Sequence, residues 1–378
     1  MCAISDLLLN KKQIAQSSPI TFAPAMLTTS LQRSSRPVAI WLLIGVIMLM
    51  IQVLLGGITR LTGSGLSITE WKPIMGALPP MNDADWNAAF EKYKQIAQFK
   101  KLNSSFDLSD FKSIYFWEWF HRLWARLIAI SFIIPFVFFI AKKKFKKEMI
   151  NPMIILFLLG VLQGLVGWIM VMSGLENSER VYVSHYKLAI HFILAMVLIC
   201  YTLWFALDLL VPKEKIIADS GIRKLNNWLL ALLTVQLIYG AFMAGLKAGP
   251  YAPTWPDING EVFPATDSSF AGIPVFDNPL MVHFIHRSLA YIITLLIMYG
   301  WWKYRLSYPS SLFSSTKWLL PFLVLLQVVL GIFTVLNSPF TKKLVWLGTT
   351  HQFVAMLLLL SLVWLTYIVR KNTVKNMV

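Results

Sequence analysis

The sequence predicts an all-α integral membrane protein: eight transmembrane helices forming two tandem four-helix bundles, related by a pseudo-twofold axis along the membrane normal. Three observations carry that expectation. The composition is too apolar for a soluble protein, eight long apolar runs alternate with connections of contrasting charge, and the second half repeats the landmarks of the first.

Of 378 residues, 57% are hydrophobic and 14% charged, where an ordinary soluble domain has roughly 45–50% and 25%. The mean hydropathy of +0.63 excludes both a soluble globular enzyme and a disordered chain. A membrane-crossing helix takes about 20 mostly apolar residues, so the chain has room for eight spans and their loops. The net charge of +16 is concentrated at the ends of the apolar runs. That placement indicates topology and contact with anionic lipid, and it excludes nucleic acid as a partner. Cys2 and Cys200 make no disulfide framework, and without a CxxC any metal must be held by other ligands.

The apolar runs cover about 38–59, 114–141, 150–172, 186–211, 226–246, 280–303, 317–336 and 345–369. Spans two and three are joined by Lys142-Lys143-Lys144-Phe145-Lys146-Lys147. Spans four and five are joined by a segment with Lys213, Lys215, Arg223 and Lys224, and spans six and seven by one with Lys303, Arg305 and Lys317. Lys11, Lys12, Arg33 and Arg36 precede the first span, and Arg370, Lys371 and Lys375 follow the last. The positive-inside rule puts all of these, and both termini, in the cytoplasm, or in the matrix of an organelle. Two long loops, about 60–113 and 247–279, fall on the other side. The first 36 residues have no signal-peptide core. Being poor in acids and rich in Ser and Thr, they are compatible with a mitochondrial transit peptide, although a short cytoplasmic tail is the simpler reading. The expected division is an N-terminal tail (1–37), a first bundle (38–211), a linker (212–225), a second bundle (226–369) and a C-terminal tail (370–378).

The chain duplicates itself. Gln52-x-x-x-Gly56 in span one matches Gln236-x-x-x-Gly240 in span five, offset by 184, and the same offset carries Trp71 onto Trp255. His121-Arg122 matches His286-Arg287, Gln163-x-x-x-Gly167 matches Gln327-x-x-x-Gly331, and His191 matches His351. Four spans is an even number, so both halves enter the membrane in the same direction and the repeats are parallel.

Four of the six histidines fall one to each even-numbered span, at about one depth in the outer half of the bilayer. A lone histidine in a span is ordinarily an interhelical hydrogen bond. One pair per bundle instead suggests two bis-imidazole haem sites, His121/His191 and His286/His351, because bundle cores build cofactor sites from facing helices. Zinc would ask for three or four ligands, and copper for Cys or Met. Arg122 and Arg287 either snorkel to the interface or pair with haem propionates, whose carboxylates suit a planar guanidinium. Three residues before its histidine the first half has Glu118, and the second has His283. An unpartnered buried carboxylate would have a raised pKa and could move protons. The alternative is a salt bridge to Arg122 or Arg126. The asymmetry suggests a reactive first haem and a second that carries electrons. His185 and His283 are secondary, being nearer the outer surface.

These residues resemble the haem A synthase family over about residues 40 to 369. The stretch Gly56-Gly57-Ile58-Thr59-Arg60-Leu61-Thr62-Gly63-Ser64-Gly65-Leu66-Ser67 is similar to its most specific motif, followed by Trp71, Pro73 and Pro79-Pro80. Glu118-Trp119-Phe120-His121-Arg122 resembles its active-site motif. Ala241 to Gly249, followed by Thr254-Trp255-Pro256, resembles the mark of its second half. The resemblance implies oxidation of the C8 methyl of haem O to a formyl group, giving haem A. It also implies a substrate haem at His121 and His191, an essential Glu118, and a resident haem b at His286 and His351. It implies an electron-transfer partner, leaves room for haem O synthase and cytochrome oxidase assembly factors as associates and for an oligomer of undetermined size, and points to a bacterial inner membrane, with a mitochondrial one as the alternative. Some bacterial members carry a cysteine pair in the first outer loop; this chain has none there. The competing classes are a di-haem b electron carrier without enzymatic activity, and a transporter, whose sites would sit near the midplane.

Overall fold

The computed structural model describes residues 23–70, 75–176, 179–212, 215–264, 272–306 and 311–370. Cys2, Lys11, Lys12, Trp71, Pro73, Lys213, Lys371 and Lys375 lie outside them. The described residues are helical, with no β-strand, and eight helices are long and apolar enough to cross a membrane.

Helix α1 (Ala23–Leu61) is followed by the short α2 (Asp83–Tyr93) and α3 (Ala97–Leu102). Next come α4 (Leu108–Ala141), α5 (Lys147–Leu175) and α6 (His185–Leu210). The second half is α7 (Ser220–Gly245), α8 (Pro279–Tyr304), α9 (Ser311–Leu336) and α10 (Thr341–Ile368). All eight apolar runs are recovered, and the shifted edges have local causes. α4 begins six residues before the apolar run because Asp107 and Asp110 form a capping box in the aqueous loop. α7 starts at Ser220 because the Asp219 side chain accepts from the Ile222 amide. α1 reaches back to Ala23, with Pro24 in its first turn, so part of the expected N-terminal tail is helix.

The duplication extends to the helix ends. α1 closes with Gly63 in the left-handed region (φ 72°), its amide bonded to Arg60 O and that of Ser64 to Thr59 O. α7 closes in the same way with Lys247 (φ 50°), bonded to Ala244 O, and Ala248, bonded to Met243 O. Both are Schellman-type ends. Gly63 and Lys247 stand 184 residues apart, the offset read from the sequence.

Within the second half α7, α8, α9 and α10 pack in a closed ring, each on its two neighbours. In the first half α4 packs on α1, α1 on α6 and α6 on α5, but among the described residues α4 and α5 have no comparable seam and share side-chain packing only at the basic end, around Phe139, Met149 and Met153. The halves meet where α1 and α6 pack on α7 and α10. Burial follows: 56% of the α10 span window is buried but only 6% of α4 and of α5. At the end carrying the two long loops, Arg60 bridges the halves by donating to Gly245 O at 2.8 Å. Its guanidinium also lies 5.0 Å from the centre of the Tyr182 ring, whose hydroxyl accepts from Lys247. At the basic end Asp208 of α6 takes Tyr367 (2.9 Å) and Arg370 (3.0 Å).

The first long loop is itself folded. Trp86, Phe90 and Tyr93 recur at helical spacing, and α2 lays them on Phe111 and Tyr115 of α4. Burial pushes the Tyr93 hydroxyl up to about 12. Phe111 has no exposed surface. Phe111→Ala is expected to weaken this cap by about 3–5 kcal/mol. The check is amide hydrogen exchange, which should quicken across α2 and α3 and stay unchanged in α10.

Candidate functional site

The glutamines and glycines that mark the repeat meet the histidines. Gln52 of α1 places its Nε2 3.2 Å from Nε2 of His121 on α4, and Gln163 of α5 places its own 3.3 Å from Nδ1 of His191 on α6. Gln236 of α7 and Gln327 of α9 reach Nε2 of His286 on α8 and of His351 on α10 at 3.4 and 3.1 Å. One turn on, each glycine lies under the ring of the same histidine. A Cβ added at Gly56, Gly167, Gly240 or Gly331 would come within 3.1, 2.7, 3.3 and 3.0 Å of Cε1 of His121, His191, His286 and His351. The same three-residue contact thus occurs four times, once in each pair of consecutive spans. His121 lies further along its helix than the other three because α4 starts in the loop.

In the second half the rings of His286 and His351 are in contact, with centroids 6.5 Å apart and planes 69° apart. Two metal–nitrogen bonds of about 2 Å plus two half-rings span roughly that separation, so the pair fits one iron held between two imidazoles. Nδ1 of each, and Oε1 of each of the four glutamines, is buried without a hydrogen-bond partner among the described residues. Buried polar atoms are ordinarily satisfied, and their concentration here marks a site for a polar or metal-bearing group. Among the described residues no ring contact joins His121 to His191.

Glu118 is 2% exposed and fully engaged. One carboxylate oxygen takes Arg122 at 2.5 Å; the other takes the Ser67 hydroxyl at 2.7 Å and the Ile68 amide at 2.8 Å. The expectation of an unpartnered acid gives way to its alternative, the salt bridge to Arg122. The first loop folds back over the helix end and supplies the other donors.

Arg122 and Arg287, expected to snorkel or to face propionates, clamp the loops. Arg122 donates to Ile68 O (3.1 Å) and Glu70 O (3.3 Å). Arg287 donates to Ala252 O (3.1 Å), Thr254 O (2.8 Å) and Asp257 O (2.7 Å). Ile68 and Ala252, and Glu70 and Thr254, are again 184 apart. The Gly260 amide on the Asp257 carboxylate holds that group below the usual carboxylate range. His283, expected near the outer surface, has no exposed surface, because the second loop covers that end of α8. His185 lies at the junction of the halves, with Nε2 3.2 Å from Asp277 and its ring against Phe242.

A family profile described as "Cytochrome oxidase assembly protein" matches residues 39–363. Three similar proteins are each named "Heme A synthase". The one from Flavobacterium johnsoniae is 39% identical over 88% of this chain and 98% of its own length. That from Parvibaculum lavamentivorans is 42% identical over 86% and 92%, and that from Rhodospirillum centenum 41% over 90% and 91%.

Hydrogen bonds from a charged donor contribute about 1.5–3 kcal/mol each. Arg122→Gln should therefore expose the 64–70 segment to limited proteolysis and leave 252–257 protected, and Arg287→Gln should do the reverse. Equal susceptibility of both loops in either variant would show that the clamps are not local.

Proposed function

The chain belongs to the family of cytochrome oxidase assembly proteins that the haem A synthases represent, and on that premise we propose that it is an oxidoreductase converting haem O to haem A. The C8 methyl of haem O becomes a formyl group by two successive hydroxylations and loss of water from the resulting geminal diol. The carbon thereby loses four electrons: two per hydroxylation pass to the redox partner where water supplies the oxygen, or dioxygen serves as both oxygen source and oxidant. The arrangement that carries this reading is the fourfold His–Gln–Gly contact with a carboxylate, Glu118, beside one histidine pair only.

In this proposal His121 and His191 bind the substrate haem. A haem b held by His286 and His351 would supply single-electron transfer between the substrate site and a redox partner. Each histidine ring is oriented by its glutamine amide and by the glycine surface against it. Of the two roles open to Glu118, moving protons and orienting the reacting group, its contacts favour orientation. It fixes Arg122 and the Ser67–Ile68 backbone as one unit beside His121. Arg122 and Arg287 hold the loops over the two sites and keep a positive charge next to each, where propionates bring negative charge. The two folded loops also limit the access of water from that side. The basic end, with Arg223, Lys224 and Arg305, faces the cytoplasm of a bacterial inner membrane, or the matrix of a mitochondrion.

The test is acid–acetone extraction of the purified protein, with the haems identified by chromatography and mass. Haem b together with haem O, haem A or a hydroxylated intermediate is the expected result. Haem b alone at two per chain would establish a di-haem electron carrier instead. Glu118→Ala should keep the absorption bands of the haem at His286/His351 and accumulate haem O in place of the aldehyde. Normal haem A output from that variant would sink the role given to Glu118.

A further inference from the structure

We propose that the unpacked side of the first half, between α4 and α5, is the slot in which the isoprenoid tail of the haem substrate lies, with Gly160 and Gly164 admitting it. This rests on the haem A synthase reading above and names the part of the substrate that reading leaves unplaced.

The core-facing stripe of α5 runs through Met149, Met153 and Leu156, all buried, as a helix face should against its neighbours. One turn further the same face opens. Gly160 and Gly164 are exposed, and a Cβ added at either meets nothing within 4 Å. The next position, Gly167, is back in contact with the His191 ring. Between the two glycines stands Gln163, whose Oε1 is buried and without a partner among the described residues.

The corresponding positions of the other three glutamine helices carry bulk: Leu49 and Val53 in α1, Leu233 and Leu237 in α7, Val324 and Val328 in α9. In α9 the first of these, Val324, is 3% exposed in the core of the second half, where α8 also packs on α9; among the described residues α4 and α5 have no comparable seam. The facing helices differ likewise. Ile293 and Ile297 of α8 are buried, but their counterparts in α4, Ile128 and Phe132, are only half-buried. The basic end of the gap is closed by Phe136, Phe139 and Phe145 over Met149 and Met153; the slot begins beyond Leu156, is apolar, and runs along α5 past Gly164 toward Gly167, which lies against the His191 ring. It is built in the half with the carboxylate and closed in the other. A long apolar substituent on the substrate explains an opening on one side only; a resident haem without such a tail needs none.

The experiment uses full-length protein carrying its resident haem, titrated with haem O and with protohaem, which has no tail. The double variant Gly160→Val/Gly164→Val gives α5 the residues of α9. Haem O affinity should fall at least about tenfold while protohaem affinity and the resident-haem spectrum stay as in the wild type. Equal losses for both haems, or no loss for haem O, would overturn the slot and leave the synthase reading standing. A second measurement is independent of affinity: Gly164→Cys in a Cys2→Ser/Cys200→Ser background, labelled with a maleimide in detergent. Haem O should protect the thiol and protohaem should not. Labelling unaffected by haem O, or blocked by bilayer lipid alone, would overturn the proposal. Wild-type protein that takes up neither haem beyond its resident one would overturn the synthase reading and the slot together.

Discussion

The constraint on which the rest depends is the approach of an imidazole ring to bare helix backbone. A histidine inside a span needs a partner for its nitrogens and space for its ring, and both come from one neighbouring helix. The glutamine meets a nitrogen, and four residues later the absence of a Cβ lets the Cε1 edge of the ring approach the chain. Each histidine helix is thereby fixed in rotation and depth against its partner. Because spans have little hydrophobic driving force to associate in lipid, such close polar and small-residue contacts set the packing. The fourfold recurrence makes one contact the template for the eight-span core.

On this template the halves diverge in ways that share a direction. In the first, a carboxylate ties the loop to Arg122, and the seam between α4 and α5 is left open. In the second, His283 takes the acid's place, the Ala252 amide is met by Gly249 O within the loop itself, and α8 and α9 close on each other. The arginine clamps are kept in both. What duplicates is the machinery that holds rings and loops; what differs is polarity beside the histidine and space beside the helix. Such a split is the one the proposed function asks for, with a bulky apolar substrate in one half and a resident group in the other.

Much of this was legible in the residues. The eight runs, the 184-residue offset and the four histidines follow from apolar periodicity and repetition, which survive as patterns in a single chain. The glutamines and glycines were visible as landmarks, but their contact with the histidines depends on which helices become neighbours. The partner of His191 is 28 residues away and that of His121 is 69. The engagement of Glu118 could not be read because two of its donors, Ser67 and the Ile68 amide, lie about 50 residues upstream in a loop without periodicity. α2 and α3 were within reach, since Trp86, Phe90 and Tyr93 have helical spacing. They are amphipathic rather than apolar, so a search for membrane spans passes over them.

The open seam illustrates how lipid changes the cost of an unfilled space. In a soluble core, deleting the side chains at two successive core positions leaves a cavity whose lining has lost its contacts. Here, removing the bulk present in α9 from the α5 positions 160 and 164 exposes apolar surface to acyl chains instead, and those supply much of the lost dispersion. Leaving α4 and α5 apart beyond Leu156 is therefore tolerable in a bilayer, and an apolar ligand entering the gap displaces lipid rather than creating a new interface from water. Binding energy at such a slot then comes mainly from fit. That is the property expected of Gly160 and Gly164, where one Cβ on either side of Gln163 would decide how closely a flat or flexible chain can follow the helix.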